Sequence, residues 1–236
     1  MNKLLTLPRP PVAPVRKNNT MNFDVARTQM LAQQLRAWEV LDDRVLRTFR
    51  ETPREDFVPS EYRDLAFADI EIPLGRGQEM LAPKIEGRIL QALQVEPIDD
   101  VLVVGTGSGY LTACLTRLAK HVVSVDIFPE FVAAAGAKIA AYGVGNIELR
   151  TADALALSYA GRFDAIAVTG SVPELGRHFV QMLRPEGRLF IVVGREPAME
   201  AQLITMQPNG TTTTAGLFET VLVPLINSER AEPFVL

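Results

Sequence analysis

Three glycines at alternate positions, Gly105, Gly107 and Gly109, follow the apolar run Val101–Val104. Glycine at such positions lets the chain turn sharply from strand to helix. It also lets a ligand approach the main-chain N–H groups. A second apolar run, HVVSVD, ends in Asp126, roughly 20 residues after the first glycine, where dinucleotide sites carry their ribose-binding acid. A carboxylate there can accept hydrogen bonds from both hydroxyls of a ribose. Asp153 sits in a turn after a third run. It either meets a purine base or caps the helical turn that follows.

The ligand is narrowed by what the loop lacks. Position 110 is Tyr, so the GxGxxG dinucleotide pattern fails, and an NAD-dependent oxidoreductase is disfavoured. No lysine follows the glycines as a phosphate-binding loop requires. What remains is an adenosine without phosphates, which describes S-adenosyl-L-methionine. The contacts assigned to it are Gly105, Thr106, Gly107, Ser108 and Gly109 through backbone amides and close approach. Asp126 takes the ribose, and Ile127 and Asp153 lie beside the base.

These residues need a rigid frame. Short β-rich runs at 101–104, 122–125, 146–150, 163–169 and 187–194 alternate with helical patterns. Two further strands are expected around an Asn209–Gly210 turn. The rhythm predicts an α/β fold, doubly wound around a mostly parallel sheet, with ligands outside the carboxyl ends of the strands. That rim gathers the glycine loop, Asp126, Asp153 and Thr169. Upstream, 22–52 reads as two helices and 53–69 as a loop with helical turns. Residues 70–83 read as an irregular loop, and a helix starts near Pro83. The stretch 172–183 reads as a helix stopped by Pro185. The chain thus divides into a flexible Pro-rich leader over 1–21, a helical and loop segment over 22–100, and an α/β core over 101–230.

Composition bounds the partners. Over 236 residues the formal net charge is −4, which gives no general pull toward nucleic acid. A single cysteine, Cys114, and two histidines, His121 and His178, make a metal centre improbable. No apolar run reaches the ~18 residues of a membrane span, and prolines at 8, 10 and 11 interrupt any signal-peptide core. The expected location is cytoplasmic. The sequence is silent on oligomeric state.

Several stretches together resemble the protein-L-isoaspartate O-methyltransferase family over nearly all of residues 24–225. They are PREDFVPSEYRDLAFAD, IPLGRGQ with the following AP, VLVVGTGSGYLTA, HVVSVDIF, FDAIAVTGSVPEL and LRPEGRLFIVVG. The resemblance implies a seven-stranded Rossmann-like methyltransferase fold. It also implies methyl transfer from S-adenosyl-L-methionine to an isoaspartyl carboxylate of damaged protein, so a protein or peptide is the implied substrate. Such a reaction asks mainly for alignment and exclusion of water, since the acceptor is already ionised at pH 7.

Two departures qualify that expectation. Where the family places a serine that contacts substrate, this chain has Leu81, preceded by Glu79 and Met80. Leu81 offers no donor, and Glu79 adds negative charge beside an anionic acceptor. These three residues are the loop candidates for a retuned acceptor site. Val103 stands where the family carries an acid near the cofactor's amino end. The leading expectation is a methyltransferase with an isoaspartyl or altered acceptor. A cofactor-binding scaffold without catalysis is the alternative.

Overall fold

The computed structural model describes residues 22–228, so the leader expected over 1–21 lies outside the described residues. Helix α1 (Phe23–Met30) is capped by Asn22, whose side chain accepts from the N–H groups of Asp24 and Val25. A π turn over Leu31–Leu35 and a 3-10 turn over Arg36–Trp38 continue it. Glu39, in the left-handed region at φ 59°, ends it. Helix α2 (Asp43–Glu51) starts at Asp42, which accepts from the Arg44 N–H, and buries Val45, Leu46 and Phe49. Asp42→Ala leaves that donor unpaired. Thermal unfolding should show a loss of about 1 kcal/mol, or roughly 2–4 °C.

The irregular loop expected over 70–83 is a β-hairpin instead. Strands β1 (Ile72–Gly75) and β2 (Gln78–Met80) pair antiparallel. Arg76 (φ 57°) and Gly77 (φ 69°) form the two-residue turn. Two successive positive φ values match the twist of a tight hairpin. The polar, glycine-rich sequence conceals it because only three or four residues pair on each side. Helix α3 (Pro83–Leu93) follows, with Pro83 in its first turn as expected.

Then come β3 (Asp100–Val104), α4 (Tyr110–Thr116), β4 (His121–Asp126), α5 (Pro129–Ala140), β5 (Ile147–Thr151) and β6 (Phe163–Val172). The chain ends with α6 (Arg177–Val180), β7 (Leu183–Arg195), β8 (Ala198–Met206) and β9 (Thr212–Glu219). The sheet has seven strands in the order β5-β4-β3-β6-β7-β8-β9. From β5 to β7 neighbouring strands run parallel, and β8 and β9 add on antiparallel. This is the doubly wound architecture expected from the alternation of runs. Its two faces carry separate cores. One holds Val101, Val103 and the N-terminal helices, and the other holds Leu102, Val104 and α6.

Four boundaries differ from expectation. The helix read over 172–183 is only the four residues of α6. Strand β7 runs through Pro185, because a register shift between Phe163 and Ala165 opposite Leu183–Arg188 excuses that residue from the ladder. Strand β6 continues past Thr169 to Val172 after a second shift. Helix α4 stops at Thr116 rather than near Ala119. No helix among the described residues is long and apolar enough to cross a membrane.

Candidate active site

Strands β3 and β6 are neighbours, but the chain leaves β3 toward β4 and β6 toward β7, on opposite sides. Their carboxyl ends therefore open a crevice. It is a cleft open to solvent, with Gly105, Asp126, Thr169 and Leu81 among its walls.

The glycine loop is held from below. The N–H groups of Gly105 and Thr106 donate to the Val125 carbonyl at 2.9 and 3.2 Å, tying the end of β3 to β4. Gly105 has φ +90°, and a Cβ there would lie 2.1 Å from Thr169 Oγ1. That hydroxyl donates to the carbonyls of Val104 and Gly105 at 3.0 and 3.1 Å. Gly109, at φ +87°, leaves room for Ala135 of α5, whose Cβ would sit 2.7 Å from an added methyl. Two of the three glycines are thus required by packing within the protein, and Gly107 lines the cleft itself.

Asp126 closes β4 with both carboxylate oxygens engaged. Oδ2 accepts from Gly107 N–H at 2.9 Å and Oδ1 from Phe128 N–H at 3.0 Å. Burial pushes its carboxyl up, while those backbone donors pull it down. Each oxygen keeps a further lone pair for a ligand hydroxyl. Asp153 does two jobs of its own. Oδ1 caps a short 3-10 turn through Leu155 N–H at 2.9 Å, and Oδ2 accepts from Asn227 at 2.9 Å. The capping role is therefore present, and the residue still lines the cleft.

The assigned residues separate by orientation. Gly105, Gly107, Asp126, Ile127 and Asp153 line the cleft; Thr106, Ser108 and Gly109 do not. The Thr106 hydroxyl pairs with Ser124 Oγ at 2.8 Å inside the fold. Ser108 Oγ accepts from Tyr110 N–H at the start of α4. Among the loop candidates, Glu79 and Leu81 face the cleft, whereas Met80 is 3% exposed and belongs to the core. Glu79 and Met80 point to opposite sides of β2, and Leu81, just past the strand's end, is 7% exposed where it lines the cleft. Val103 is fully buried on the other face of β3 and does not reach the cleft.

The hairpin also brings in a residue the sequence reading missed. Ile72 pairs with Met80, so Glu71, one step outward, comes beside Leu81 and Glu79. Glu71 and Glu79 are close neighbours across the hairpin. Partial desolvation first, then Glu79, pushes the Glu71 carboxyl up to about 6. The signal was available: two acids eight positions apart around an Arg76–Gly77 turn share a face only if that turn closes a hairpin. The segment Leu222–Ile226, which follows β9, completes the wall.

The residues fit the cofactor suggested by the glycine loop. Among the described residues the cleft wall includes four carboxylates, Glu71, Glu79, Asp126 and Asp153, and no lysine or arginine. A phosphate would find no cation there, whereas a sulfonium and an ammonium would find acids. Ile127, Phe128 and Leu155 give apolar surface for a flat base. Among the described residues no cluster of His, Cys, Asp and Glu could hold a metal. Cys114 is fully buried, and burial pushes its thiol up to about 12, which removes it as a nucleophile.

Fold and cleft together define an α/β methyltransferase, with the glycine loop at the switch point and the Glu71–Glu79–Leu81 wall facing it. The family model described as protein-L-isoaspartate(D-aspartate) O-methyltransferase matches residues 26–230, and the chain belongs to that family. S-adenosyl-L-methionine is accordingly its cofactor. A protein-L-isoaspartate O-methyltransferase of Koribacter versatilis is 34% identical over 212 residues, 89% of this chain and 95% of the relative. A second relative, protein-L-isoaspartate O-methyltransferase 2 of Anaeromyxobacter sp., is 36% identical over 204 residues, covering 86% and 82% of the two chains. A Plasmodium falciparum structure of that name, in complex with S-adenosyl-L-homocysteine, aligns with a TM-score of 0.72 at 21% identity. It covers 87% of this chain and 98% of its own and shares the fold.

Proposed function

We propose that this methyltransferase modifies a protein or peptide acceptor presented at the Glu71–Glu79–Leu81 wall. At neutral pH it favours acceptors that are neutral or cationic near the methylated atom. The observation that carries this reading is the four carboxylates of the cleft wall, with no basic residue lining it among the described residues. When bound, S-adenosyl-L-methionine supplies an electrophilic methyl. The protein's part is to hold the two reactants in line and shield them from water. Asp126 takes the ribose hydroxyls, Ile127 flanks the base, and Gly105 and Gly107 let the cofactor approach the loop. Leu81 contributes shape without a hydrogen-bond donor, so the acceptor's own charge decides how it meets Glu79.

An ionised acceptor about 4 Å from a carboxylate is opposed by roughly 1 kcal/mol in water, and by about 4 at an effective dielectric near 20. Glu71 and Glu79 are exposed, which puts them toward the lower figure. A second reading keeps the isoaspartyl acceptor named for the relatives. It rests on the raised carboxyl of Glu71. Above about pH 6 Glu71 ionises and repels a carboxylate. Below it Glu71 is neutral, while an acceptor with a carboxyl near 4 stays ionised.

Steady-state methylation of an isoaspartyl peptide between pH 5 and 8 tests both readings. Turnover should rise about 5-fold as pH falls through 6. Glu79→Gln should flatten the profile and raise the rate at pH 7.5. A rate at pH 7.5 that Glu79→Gln leaves unchanged would show that the acidic wall does not select the acceptor.

A further inference from the structure

Arg54 is completely buried, yet it touches neither solvent nor the cleft. Its guanidinium is divided among three chain segments. Nε donates to the Ala66 carbonyl at 2.8 Å, just after the 3-10 turn Ser60–Leu65. Nη2 donates to the Leu81 carbonyl at 2.6 Å, and Nη1 pairs with Glu86 in the first turn of α3. The flat face of the group lies over the ring of Tyr110, 4.9 Å from its centroid. Tyr110 is the first residue after the glycine loop. One side chain therefore spans the approach segment, the acceptor wall and the base of the cofactor loop.

A buried ion pair is a poor choice for stability alone, because apolar residues of similar volume often serve as well or better. What it provides here is direction. The planar fork fixes two carbonyls and a carboxylate at set angles, which lysine cannot reproduce. We infer that Arg54, paired with Glu86, is a positioning residue that sets the Leu81 backbone, and with it the acceptor wall, relative to the cofactor loop. It acts through Leu81 and touches no reacting atom. Hydrogen bonds to Leu81 must come from below, since its side chain faces the cleft and offers none.

The inference rests on the methyltransferase reading only for its kinetic arm. Three full-length variants test it: Arg54→Lys, Glu86→Gln, and the double change Arg54→Met with Glu86→Leu, which removes the charge pair without stranding either partner. Each is followed by calorimetry with S-adenosyl-L-homocysteine, by amide hydrogen exchange, and by turnover of an isoaspartyl peptide at pH 5.5. The double variant should stay folded and keep cofactor-product affinity within about threefold. Exchange over 78–82 should rise at least tenfold with α5 and β4 unchanged. Acceptor kcat/KM should fall about tenfold, with Arg54→Lys intermediate. Exchange over 78–82 that matches wild type in the double variant overturns the inference, as does exchange raised evenly through the sheet in all three. If the double variant does not fold, Arg54→Lys decides by the same exchange criterion. Lack of turnover by the wild-type protein counts against the proposed acceptor and leaves the exchange result to judge Arg54.

Discussion

Asp126→Ala should raise the dissociation constant for S-adenosyl-L-homocysteine at least 100-fold in titration calorimetry. Two losses add. The first is the acceptor for the ribose hydroxyls, where hydrogen bonds to a charged group contribute about 1.5–3 kcal/mol each. The second is internal. Gly107 N–H and Phe128 N–H lose their partner, so the two chain segments flanking the cleft are no longer held at 2.9 and 3.0 Å from a common carboxylate. A hundredfold loss corresponds to about 2.7 kcal/mol, which a single ionic hydrogen bond could supply, so the figure is a lower bound. Asp126→Asn should fall short of wild type too. Its amide nitrogen would face one backbone N–H donor with another donor. A change below fivefold for the alanine variant would remove Asp126 from the cofactor site.

Gly105→Ala should damage the loop severely, because it is opposed twice. The residue sits at φ +90°, where an L side chain costs about 1–2 kcal/mol. Its Cβ would also lie 2.1 Å from Thr169 Oγ1, and overpacking of that kind costs about 1–3 kcal/mol more. Thr169 cannot swing away freely, since its hydroxyl is bound to the carbonyls of Val104 and Gly105. A total near 3 kcal/mol lowers the melting temperature by roughly 6–12 °C in a domain this size. Adding Thr169→Ala should recover the packing share and leave the backbone share, and a double-mutant cycle reads the difference. Gly143→Ala is the control. It has φ +66° with nothing within 4 Å, so it should pay only the backbone cost. Equal losses at 105 and 143 would show that Thr169 yields.

Glycine was legible at these positions, but not for the right reason at all of them. The spacing of Gly105, Gly107 and Gly109 suggested close approach of a ligand along the whole loop. Only Gly105 and Gly107 line the cleft. Gly109 admits Ala135 of the next helix, a contact between residues far apart in sequence that no local pattern records. Thr106 and Ser108 enter the cofactor assignment through their backbone amides, not their side chains. Their hydroxyls turn inward, to Ser124 and to the start of α4.

By itself the sequence determined the strand–helix alternation, the glycine turn after β3, the strand-end acid at 126 and the absence of a phosphate-binding lysine. These are local: a period of two, a run length or a residue at a fixed offset is enough to specify each. The tertiary structure alone decided which face of each element meets the cleft. A three-residue strand turned Met80 into core while setting Glu79 in the cleft wall, with the largely buried Leu81 just past its end. The unforeseen Arg76–Gly77 turn brought Glu71 beside Glu79. Arg54, read only as part of a loop, became the fixed point beneath Leu81. Such pairings depend on register and on contacts across many residues. Their energies arise only when the chain has closed on itself, and so the pairing of Glu71 with Glu79, unlike the glycine turn after β3, could not be read in advance.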